Sequence, residues 1–293
     1  IYEKIREVQK KYGVNAIGGI SSARATNEEN YLMQKMLRAA LHTNNIDGCA
    51  RVCHAPTAYG MQKAFGTGAA TNSIEELDNT DCVFLFGANP TEAHPVTGAK
   101  IKQLFMKGIE SIVVDPVKTE LALIAKFHLQ LRPGTNVALL NMMAYYIIEA
   151  DLVNSDFIQK FTERYSEFKA QVVSLNMDEL EEITGVSKSL VKEAALTYAR
   201  SKNAMEFHGL GVTEHFQGSK TVMLLSDLAM MTGHIGRPSV GLNPLRGQNN
   251  VQGAADMGVQ PHQGAGYMDV NNTEIQKYYD KKYGVPAMPP LEG

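Results

Sequence analysis

Cys53 and His54 stand side by side in RVCHAPTAYG, residues 51–60, a stretch that also carries a proline and a glycine. A cysteine thiolate is a soft ligand for transition metals and a good nucleophile when its pKa is lowered. An imidazole titrates near neutral pH and can act as a general base. Because an isolated Cys-His dipeptide is usually structural, the pair alone favours a buried thiol beside an ordinary histidine.

The other two cysteines indicate structural roles. Cys82 lies inside the apolar run CVFLF, which is typical of a small buried hydrophobe, and Cys49 is interpreted in the same way. Cysteines in odd number, without a C-x-x-C pair, do not form a paired disulfide framework and support a zinc site poorly. This usage is typical of a reducing, cytoplasmic setting.

Arg246 is the candidate for binding an anion. It lies in NPLRGQNNVQGAADMG, residues 243–258, and its planar guanidinium suits bidentate capture of a small carboxylate. Neighbouring amide side chains offer donors and acceptors for a heterocycle or phosphates; they are Gln248, Asn249, Asn250 and Gln252. The alternative is a solvated surface loop, and spacing alone does not bring this loop to Cys53.

The middle of the chain alternates between apolar runs and helical stretches. Strands are predicted at 82–86, 111–114, 128–131 and 204–212, and Thr97 is predicted to cap a helix after the first of them. Strands separated by helices of this length form right-handed βαβ units. The predicted fold is therefore α/β, a Rossmann-like, doubly wound parallel sheet with helices on both faces.

The rest of the pattern is helical and then polar. Helices are predicted at 136–152, 155–182, 187–201 and 222–231, and Ser187 opens the third of them. Glycine, asparagine, glutamine and proline dominate after Gly233, so a long polar loop is predicted through residue 266.

The predicted strand ends indicate where a ligand binds, because open parallel sheets bind ligands beyond the carboxyl ends of their strands. Glycine-containing or polar turns follow four strands, at 87–92, 115–118, 132–135 and 209–211. Backbone N–H groups in such turns can bind phosphate, and Asp115 is placed like the acid that grips a ribose. Each turn could simply end a strand, but four together favour a nucleotide-like ligand. The lack of G-x-G-x-x-G after the first strand, and of a P-loop sequence, argues against an ordinary NAD site or P-loop.

Composition narrows the class of protein further. The 293 residues suffice for one large domain or two ordinary ones. A net charge of −3 without a basic stripe argues against a nucleic-acid partner. No apolar run reaches the length of a membrane span, and residues 1–13 form a charged, helix-like segment rather than a signal peptide.

Several stretches, taken in order, resemble one enzyme family. They are ARVCHAPTAYG, TNSIEELDNTDCVFLFGANPTEAHP, VVDPVKTE, LRPGTNVALLN, GLGVTEHFQG and NPLRGQNNVQGAADMG. Together they are similar to the catalytic (alpha) subunit of molybdenum- or tungsten-dependent formate dehydrogenases. That family belongs to the superfamily of oxidoreductases that carry bis(molybdopterin guanine dinucleotide).

The resemblance implies a role for each matching residue. Cys53 matches the position whose sulfur, or selenium in some members, ligates the metal. His54 matches the histidine implicated in taking up the substrate proton, and Arg246 matches the arginine that orients formate. The positions that match the cofactor-binding loops, with Asp115 toward the guanosine end, are Gly87, Asn89, Glu92, Asp115, Pro116, Lys118, Arg132, Gly134, Asn136, Gly209, Gly211 and Gln248.

The implied reaction is the oxidation of formate to CO2, with the electrons passing through the metal to an iron–sulfur cluster outside this chain. Nitrate reductases of the same superfamily also use a cysteine ligand but lack the histidine that follows, so Cys-His together with LRGQNN favours formate. Two alternatives stay open: another molybdopterin oxidoreductase, similar to nitrate reductase, and a cofactor-free nucleotide-binding or assembly domain.

The sequence departs from the family at both ends. Family members carry an N-terminal cysteine-rich segment for a 4Fe–4S cluster and a C-terminal β-rich domain, and neither is matched. The chain is therefore expected to be a fragment, inactive in isolation, of an enzyme that binds formate and electron-transfer subunits or domains. By resemblance, residues 49–248 form a central α/β domain that binds molybdopterin guanine dinucleotide. Residues 1–48 and the loop-rich residues 249–293 are then pieces of a discontinuous pterin-binding domain.

Overall fold

The structure is a computed structural model that describes residues 1–289. Packing divides the chain into two compact units: unit 1 comprises Ile1–Cys53 with the described residues from Arg246 onward, and unit 2 comprises His54–Leu245. The boundaries predicted from the sequence lie at 48/49 and 248/249, and residues 290–293 of the last predicted segment lie outside the described residues. The assignment of unit 1 to a larger pterin-binding domain stays a prediction.

Helices are numbered along the chain. They are α1 (Tyr2–Tyr12), α2 (Asn27–Lys35), α3 (Ala50–Cys53), α4 (Ala55–Phe65), α5 (Pro90–Ala93), α6 (Pro95–Met106), α7 (Glu120–Ile124), α8 (Asn136–Glu149), α9 (Ser155–Phe161), α10 (Tyr165–Val173), α11 (Met177–Thr184), α12 (Lys188–Arg200), α13 (Leu210–Thr213), α14 (Gly218–Thr232), α15 (Val251–Asp256) and α16 (Thr273–Tyr283). The strands are β1 (Gly19–Ser21), β2 (Ile46–Gly48), β3 (Cys82–Phe86), β4 (Glu110–Val114), β5 (Phe127–Leu129), β6 (Ala204–His208), β7 (Gly241–Pro244), β8 (Gln263–Gly264) and β9 (Met268–Asp269).

A five-stranded sheet in the order β5-β4-β3-β6-β7 forms the centre of unit 2. All of its strand pairs are parallel, and Phe86 at the end of β3 is level with Val114 of β4 and His208 of β6. The chain winds from β3 outward through β4 and β5, and then builds β6 and β7 on the other side of β3. This is the doubly wound arrangement, so the predicted fold class is confirmed.

Helices cover both faces of this sheet because its strands are apolar on both sides. Along β3, Phe84 and Phe86 belong to one buried cluster while Val83 and Leu85 belong to another. The first cluster takes side chains from α4, α8, α12 and α14, and the second takes them from α6 and α7. Continuous apolar runs are typical of parallel strands covered on both faces.

The structure corrects the predicted start of α6. The helix begins at Pro95 and not after Thr97, which is buried inside it. Proline suits the first helical position, since its fixed backbone torsion is helical and its missing N–H has no partner there in any helix. The strand predicted at 204–212 is shorter as well, because β6 ends at His208 and α13 follows.

The helical stretch predicted at 155–182 is three helices, α9, α10 and α11. Asparagine side chains mark two of the starts: Asn154 accepts from the N–H of Phe157, and Asn176 accepts from those of Asp178 and Glu179. The predicted cap at Ser187 is confirmed, since its hydroxyl accepts from the N–H of Leu190.

The prediction of an uninterrupted polar loop after Gly233 was wrong, since this stretch contains β7 and α15. β7 lies at the edge of the sheet, begins with Gly241 at a positive φ and ends with Pro244. Proline is tolerated in edge strands because no neighbour requires its missing N–H. Composition alone therefore indicated a loop where tertiary pairing makes a strand.

Unit 1 combines two separate parts of the chain. β1 pairs in parallel with β2, and β8 pairs antiparallel with β9. A capping box begins α2, in which Thr26 and Glu29 satisfy each other's backbone N–H groups. One small core joins Leu37 and Ile46 from the first part to Val251 and Val259 from the second.

Within residues 1–289, no helix has both the length and the apolar character that a membrane crossing requires.

Candidate active site

The winding of unit 2 changes direction between β3 and β6, which are adjacent and parallel. The loop after β3 leads to α6 on one face of the sheet, and the loop after β6 leads to α14 on the other. Loops that diverge in this way leave a crevice at the carboxyl edge, where doubly wound folds bind their ligands. We call this place the switch point and define it by residues 87–92 and 209–213.

Glycines bring the two loops of the switch point into backbone contact. The N–H of Gly211 donates to the carbonyl of Gly87 at 3.0 Å, and the N–H of Gly209 donates to that of Phe86 at 3.2 Å. A Cβ on Gly211 would lie 2.7 Å from the Cα of Gly87, which is too close for any side chain. The switch point therefore presents bare backbone, as an approaching phosphate requires.

The loop after β5 reaches the switch point through Asn136. Its buried side chain, at the start of α8, donates to the carbonyl of Gly211 at 3.1 Å. Arg132 points elsewhere, because its guanidinium donates to the carbonyl of Glu182 near the end of α11. Gly134, between them, is exposed and has a φ of 86°.

The loop after β4 is held by side chains from β5 and the residues that follow it. His128 donates from Nε2 to the carbonyl of Asp115 at 2.9 Å, and Gln130 donates to that of Pro116 at 2.9 Å. The Asp115 carboxylate accepts from the N–H of Val117 at 2.8 Å. Burial raises the pKa of Asp115, and the Val117 bond opposes that rise. A half-buried carboxylate is thus fixed at a strand end, as the sequence predicts.

The remaining predicted residues of these loops are more accessible. Asn89 precedes α5, where its side-chain oxygen accepts from the hydroxyl of Thr91 at 3.0 Å. Glu92, Pro116 and Lys118 are exposed.

His54 is buried at the start of unit 2 and hydrogen-bonded through both ring nitrogens. Nδ1 lies 3.0 Å from the hydroxyl oxygen of Thr57, and Nε2 lies 3.0 Å from the carbonyl oxygen of Leu245. The Thr57 hydroxyl in turn lies 2.9 Å from Nε2 of His208, the last residue of β6. The imidazole therefore belongs to a buried network that extends to the sheet.

Cys53 and Arg246 both belong to unit 1. Cys53 ends α3 and is buried, and its N–H donates to the carbonyl of Cys49 at 3.0 Å. Arg246 is half-buried, and desolvation lowers the pKa of its guanidinium while Tyr267 and Cys53 act in the opposite direction. The predicted anion-binding cation thus lies within electrostatic range of the predicted metal ligand.

The sequence has a family match that covers nearly all of the chain. A family profile described as molybdopterin oxidoreductase matches residues 1–282. The chain belongs to the molybdopterin oxidoreductase family.

Two curated relatives within this family share much of the sequence. The chain is 44% identical over its full length to formate dehydrogenase H of Escherichia coli, of which it covers 41%. It is 44% identical over 270 residues to the F420-dependent formate dehydrogenase subunit alpha of Methanocaldococcus jannaschii, and that match takes in 92% of this chain and 40% of the relative. The chain therefore spans about two fifths of the relatives' length.

A solved structure supports the fold independently. Acetylene hydratase from Pelobacter acetylenicus superimposes with a TM-score of 0.67 over 79% of this chain and 31% of its own, at 22% sequence identity. At that identity the likeness concerns the fold alone.

Members of the molybdopterin oxidoreductase family use a molybdenum or tungsten pterin cofactor, and the residues present fit such a group. The side-chain oxygen of Gln248 is buried and has no hydrogen-bond partner within the described part of the chain. A pterin offers several N–H donors to such an acceptor. The bare backbone at the switch point suits a phosphate in the same way.

A metal held by protein side chains alone does not fit. Across residues 1–289, no three His, Cys, Asp or Glu side chains are close enough to share a metal ion. A metal bound by Cys53 would therefore need ligands from a cofactor.

Sequence reasoning missed several residues that surround the predicted ones. In unit 2 these are Thr57 and His208, and in unit 1 they are Asp256 and Tyr267. His208 carried a signal, because a polar residue ends an apolar strand immediately before the Gly-Leu-Gly turn. Tyr267, which has a φ of 59° and donates to Asp256 at 2.8 Å, has no comparable pattern around it.

A separate cavity of about 710 Å³ opens between α9, α10 and α14. Its lining includes Phe161, Tyr165, Asp227 and Met230. Burial raises the pKa of Asp227 to about 6. None of the predicted site residues lines this cavity, so its size alone does not make it the active site.

Proposed function

We propose that this chain is part of a formate dehydrogenase that oxidises formate to CO2 at a bis(molybdopterin guanine dinucleotide) cofactor carrying molybdenum or tungsten. The observation that carries the proposal is the family match over residues 1–282, together with the presence of Cys53 and half-buried Arg246 in the same compact unit. Similarity to formate dehydrogenase H over the whole of this chain supports it.

In unit 2, residues at the carboxyl edge of the sheet would hold part of the cofactor. We assign one guanine dinucleotide to the switch point, with Gly87, Gly209 and Gly211 allowing the backbone to approach it. Asp115 is assigned to its guanosine end, and Gln248 to an N–H donor of a pterin. The guanidinium of Arg132 would have to leave the carbonyl of Glu182 to contact the cofactor.

Arg246 would bind and orient formate. Its guanidinium can donate two parallel hydrogen bonds to a carboxylate, and its partial burial strengthens that attraction because fewer waters compete. Cys53 would ligate the metal through its sulfur. When bound, the metal of the cofactor supplies the acceptor for the two electrons that leave formate as CO2 and a proton form.

His54 would accept the proton at Nδ1, and the Thr57 hydroxyl would then turn so that its oxygen accepts the new N–H. His54 follows Cys53 directly in the chain, and an imidazole can take up a proton near neutral pH. Electrons would leave through an iron–sulfur cluster and electron-transfer subunits or domains of the whole enzyme, which we place in the cytoplasm. We expect the 293-residue chain alone to lack activity.

The decisive experiment uses the complete protein encoded by the reading frame that contains this sequence. The purified protein would be assayed for molybdenum and tungsten, for formate oxidation with an artificial electron acceptor, and for nitrate reduction with a reduced dye. We expect metal together with formate oxidation. Nitrate reduction without formate oxidation would favour the nitrate reductase-like alternative, and a protein without metal or guanine dinucleotide would favour the assembly domain.

A further inference from the structure

Four residues of unit 2 form a closed ring of hydrogen bonds below the switch point. Its side-chain members are His54, Thr57 and His208, each no more than 1% exposed. The fourth is Leu245, whose N–H donates to the carbonyl of His208 at 2.8 Å and whose own carbonyl faces Nε2 of His54 at 3.0 Å. The Thr57 hydroxyl joins the two imidazoles at 3.0 and 2.9 Å.

The chemistry of these partners sets the direction of every bond in the ring. The Leu245 carbonyl only accepts, so Nε2 of His54 carries a proton and donates to it. In a neutral imidazole Nδ1 is then an acceptor, and the Thr57 hydroxyl donates to it. Having donated its proton, the Thr57 oxygen accepts from Nε2 of His208. The ring is therefore consistent with one tautomer of His54.

The ring also closes unit 2 on itself. His54 and Leu245 are the first and last residues of this unit, so the bond between them holds its two ends together. Cys53 is joined by a peptide bond to the first of these residues, and Arg246 to the second.

The two imidazoles and the Thr57 hydroxyl do more than fill space in the core. The two imidazole rings have centroids 6.1 Å apart and planes inclined by 48°, so they are not stacked and interact through the Thr57 hydroxyl. A buried polar group without a partner is costly, so two imidazoles and a hydroxyl at this depth require mutual satisfaction. Hydrogen bonds behind a functional imidazole commonly select its tautomer and orientation.

We infer that Thr57 and His208 are positioning residues that fix His54 as the tautomer protonated on Nε2 and hold its ring against Leu245. The inference rests on the proposed function, because it deepens the role given to His54. Neither residue needs to touch the substrate or the cofactor. Their task is to keep the His54 ring in one orientation while chemistry proceeds beside it.

The first measurement needs no cofactor. Two-bond ¹H–¹⁵N correlation spectra of ¹⁵N-histidine-labelled protein distinguish the two tautomers of an imidazole. We expect the His54 signals of the wild type and of Thr57→Ser to report Nε2 protonated. Thr57→Val, which keeps the volume and removes the hydroxyl, leaves only the Leu245 carbonyl to hold the ring, so part of the population should rotate away from Leu245 and the spectrum should show a mixture of tautomers. His208→Leu should do the same, because it removes the donor that orients the Thr57 hydroxyl. His208→Gln offers an amide N–H in place of Nε2 and should retain the wild-type tautomer.

The second measurement uses the loaded, complete enzyme. Thr57→Val should lower kcat for the proposed formate oxidation by between about 10- and 100-fold while KM changes little, as is typical of residues that orient a functional group. Thr57→Ser should restore most of the rate. A residue with only a structural role would lower the melting temperature but leave the tautomer of the folded fraction unchanged.

The outcomes separate the two proposals. If His54 keeps its tautomer in both Thr57→Val and His208→Leu, the positioning role is refuted whatever the activity. If the wild-type enzyme does not oxidise formate, the proposed function fails while the tautomer spectra still decide the positioning role. Wild-type kcat in a Thr57→Val enzyme with a mixed tautomer would also contradict the inference, because orientation would then not matter.

Discussion

Arg246 owes its suitability for a carboxylate to its surroundings. Burial lowers the pKa of the guanidinium, but an arginine stays protonated at neutral pH even after such a shift. What burial changes is the strength of its contacts, since an attraction between charges grows as water is excluded. The same side chain on an exposed helix would bind formate poorly.

Arg246→Ala should weaken formate binding by about one to two orders of magnitude, because a charge-assisted contact of roughly 1.5–3 kcal/mol is lost. KM for formate in the complete enzyme measures this effect. Arg246→Lys should recover only part of it, since an ammonium does not donate as a planar fork. Arg6→Ala, on the exposed side of α1 in the same unit, is the matched control. Unchanged KM and kcat in Arg246→Ala would refute its role.

Glu206 is a buried acid at the centre of β6, and the proposed reaction does not use it. Tyr198 donates its hydroxyl to one carboxyl oxygen, while the other oxygen has no partner in the described structure. Burial raises the pKa of Glu206 from 4.5 to about 8, although the Tyr198 bond opposes the rise. The folded protein therefore keeps a proton that the unfolded chain releases at lower pH.

This proton makes stability fall as the pH rises. Below the ordinary pKa of a glutamate both states are protonated and stability is at its full value, and it is lost as the pH climbs toward about 8. The loss should be on the order of a few kcal/mol. His234, whose pKa is lowered to about 4, and Asp227, raised to about 6, titrate mainly at lower pH. Urea unfolding between pH 6.5 and 8.5 therefore isolates Glu206.

Glu206→Gln should flatten that pH dependence, because the amide does not ionise and can still accept from Tyr198. The test is the slope of the unfolding free energy against pH, because the amide also changes the absolute stability at every pH. A slope equal to that of the wild type would show that Glu206 does not carry the proton. Asp227→Asn, which alters an acid with a lower pKa, should leave the slope in this range nearly intact.

Among the elements, the loops after β3 and β6 depend on glycine for reasons that differ from residue to residue. Gly87 has a φ of 57°, which other residues rarely adopt. Gly211 needs no special torsion, and only the approach of the Gly87 backbone excludes a side chain there. The positive φ of Gly87 and the lack of space for a side chain at Gly211 therefore act at the same backbone contact. The proposed cofactor site is lined there by backbone and not by side chains.

Gly211→Ala should separate the two loops, since its Cβ would meet backbone that has no freedom to rotate away. Overpacking of this kind costs about 1–3 kcal/mol, and guanine dinucleotide content should fall. Thermal unfolding and extraction of nucleotide from the complete protein measure the two effects. Gly18→Ala is the control, because its Cβ would make only an ordinary contact at 3.4 Å. Full nucleotide content in Gly211→Ala would place the cofactor elsewhere.

At the scale of the whole molecule, unit 1 is assembled from two segments far apart in the sequence, and Arg38 joins them. This fully buried arginine donates to Gln34 and Asn44 in the first segment, and to the carbonyls of Gly258, Gln260 and Gln263 in the second. Burial lowers the pKa of Arg38 to about 10, so it remains charged at neutral pH. One side chain thus donates to three carbonyls of the second segment, of which only that of Gln263 belongs to a named strand.

Arg38→Met should destabilise unit 1 by roughly 3 kcal/mol, because one buried and two partly buried carbonyls lose their donor at once. Hydrogen exchange in residues 258–263 should accelerate most, with peptides from β3 as the internal reference. Arg38→Lys keeps the charge but has fewer donors, so it should give an intermediate effect. Protection of residues 258–263 at the wild-type level in Arg38→Met would contradict this role.

Some parts of the fold could be predicted from the sequence, because their stabilisation is local or depends only on the order of apolar and polar residues. The apolar runs of β3 and β4, the cap at Ser187 and the strand-end turns were predictable because burial on both faces and helix capping leave direct traces in composition. Six stretches in order, from ARVCHAPTAYG to NPLRGQNNVQGAADMG, indicated the family. The residue pair that suggested chemistry was therefore visible without any structure.

Contacts between residues far apart in the chain became visible only in the folded structure. β7 is a strand because β6 lies beside it, Thr97 lies inside a helix because Pro95 begins it, and Arg132 turns to Glu182 rather than to the switch point. His208 is linked to His54 through Thr57, which lies only three residues from His54 but contacts His208 across 151 residues of chain. Hydrogen bonds of this kind depend on positions in space, and spacing along a sequence carries no information about them until the sheet has formed.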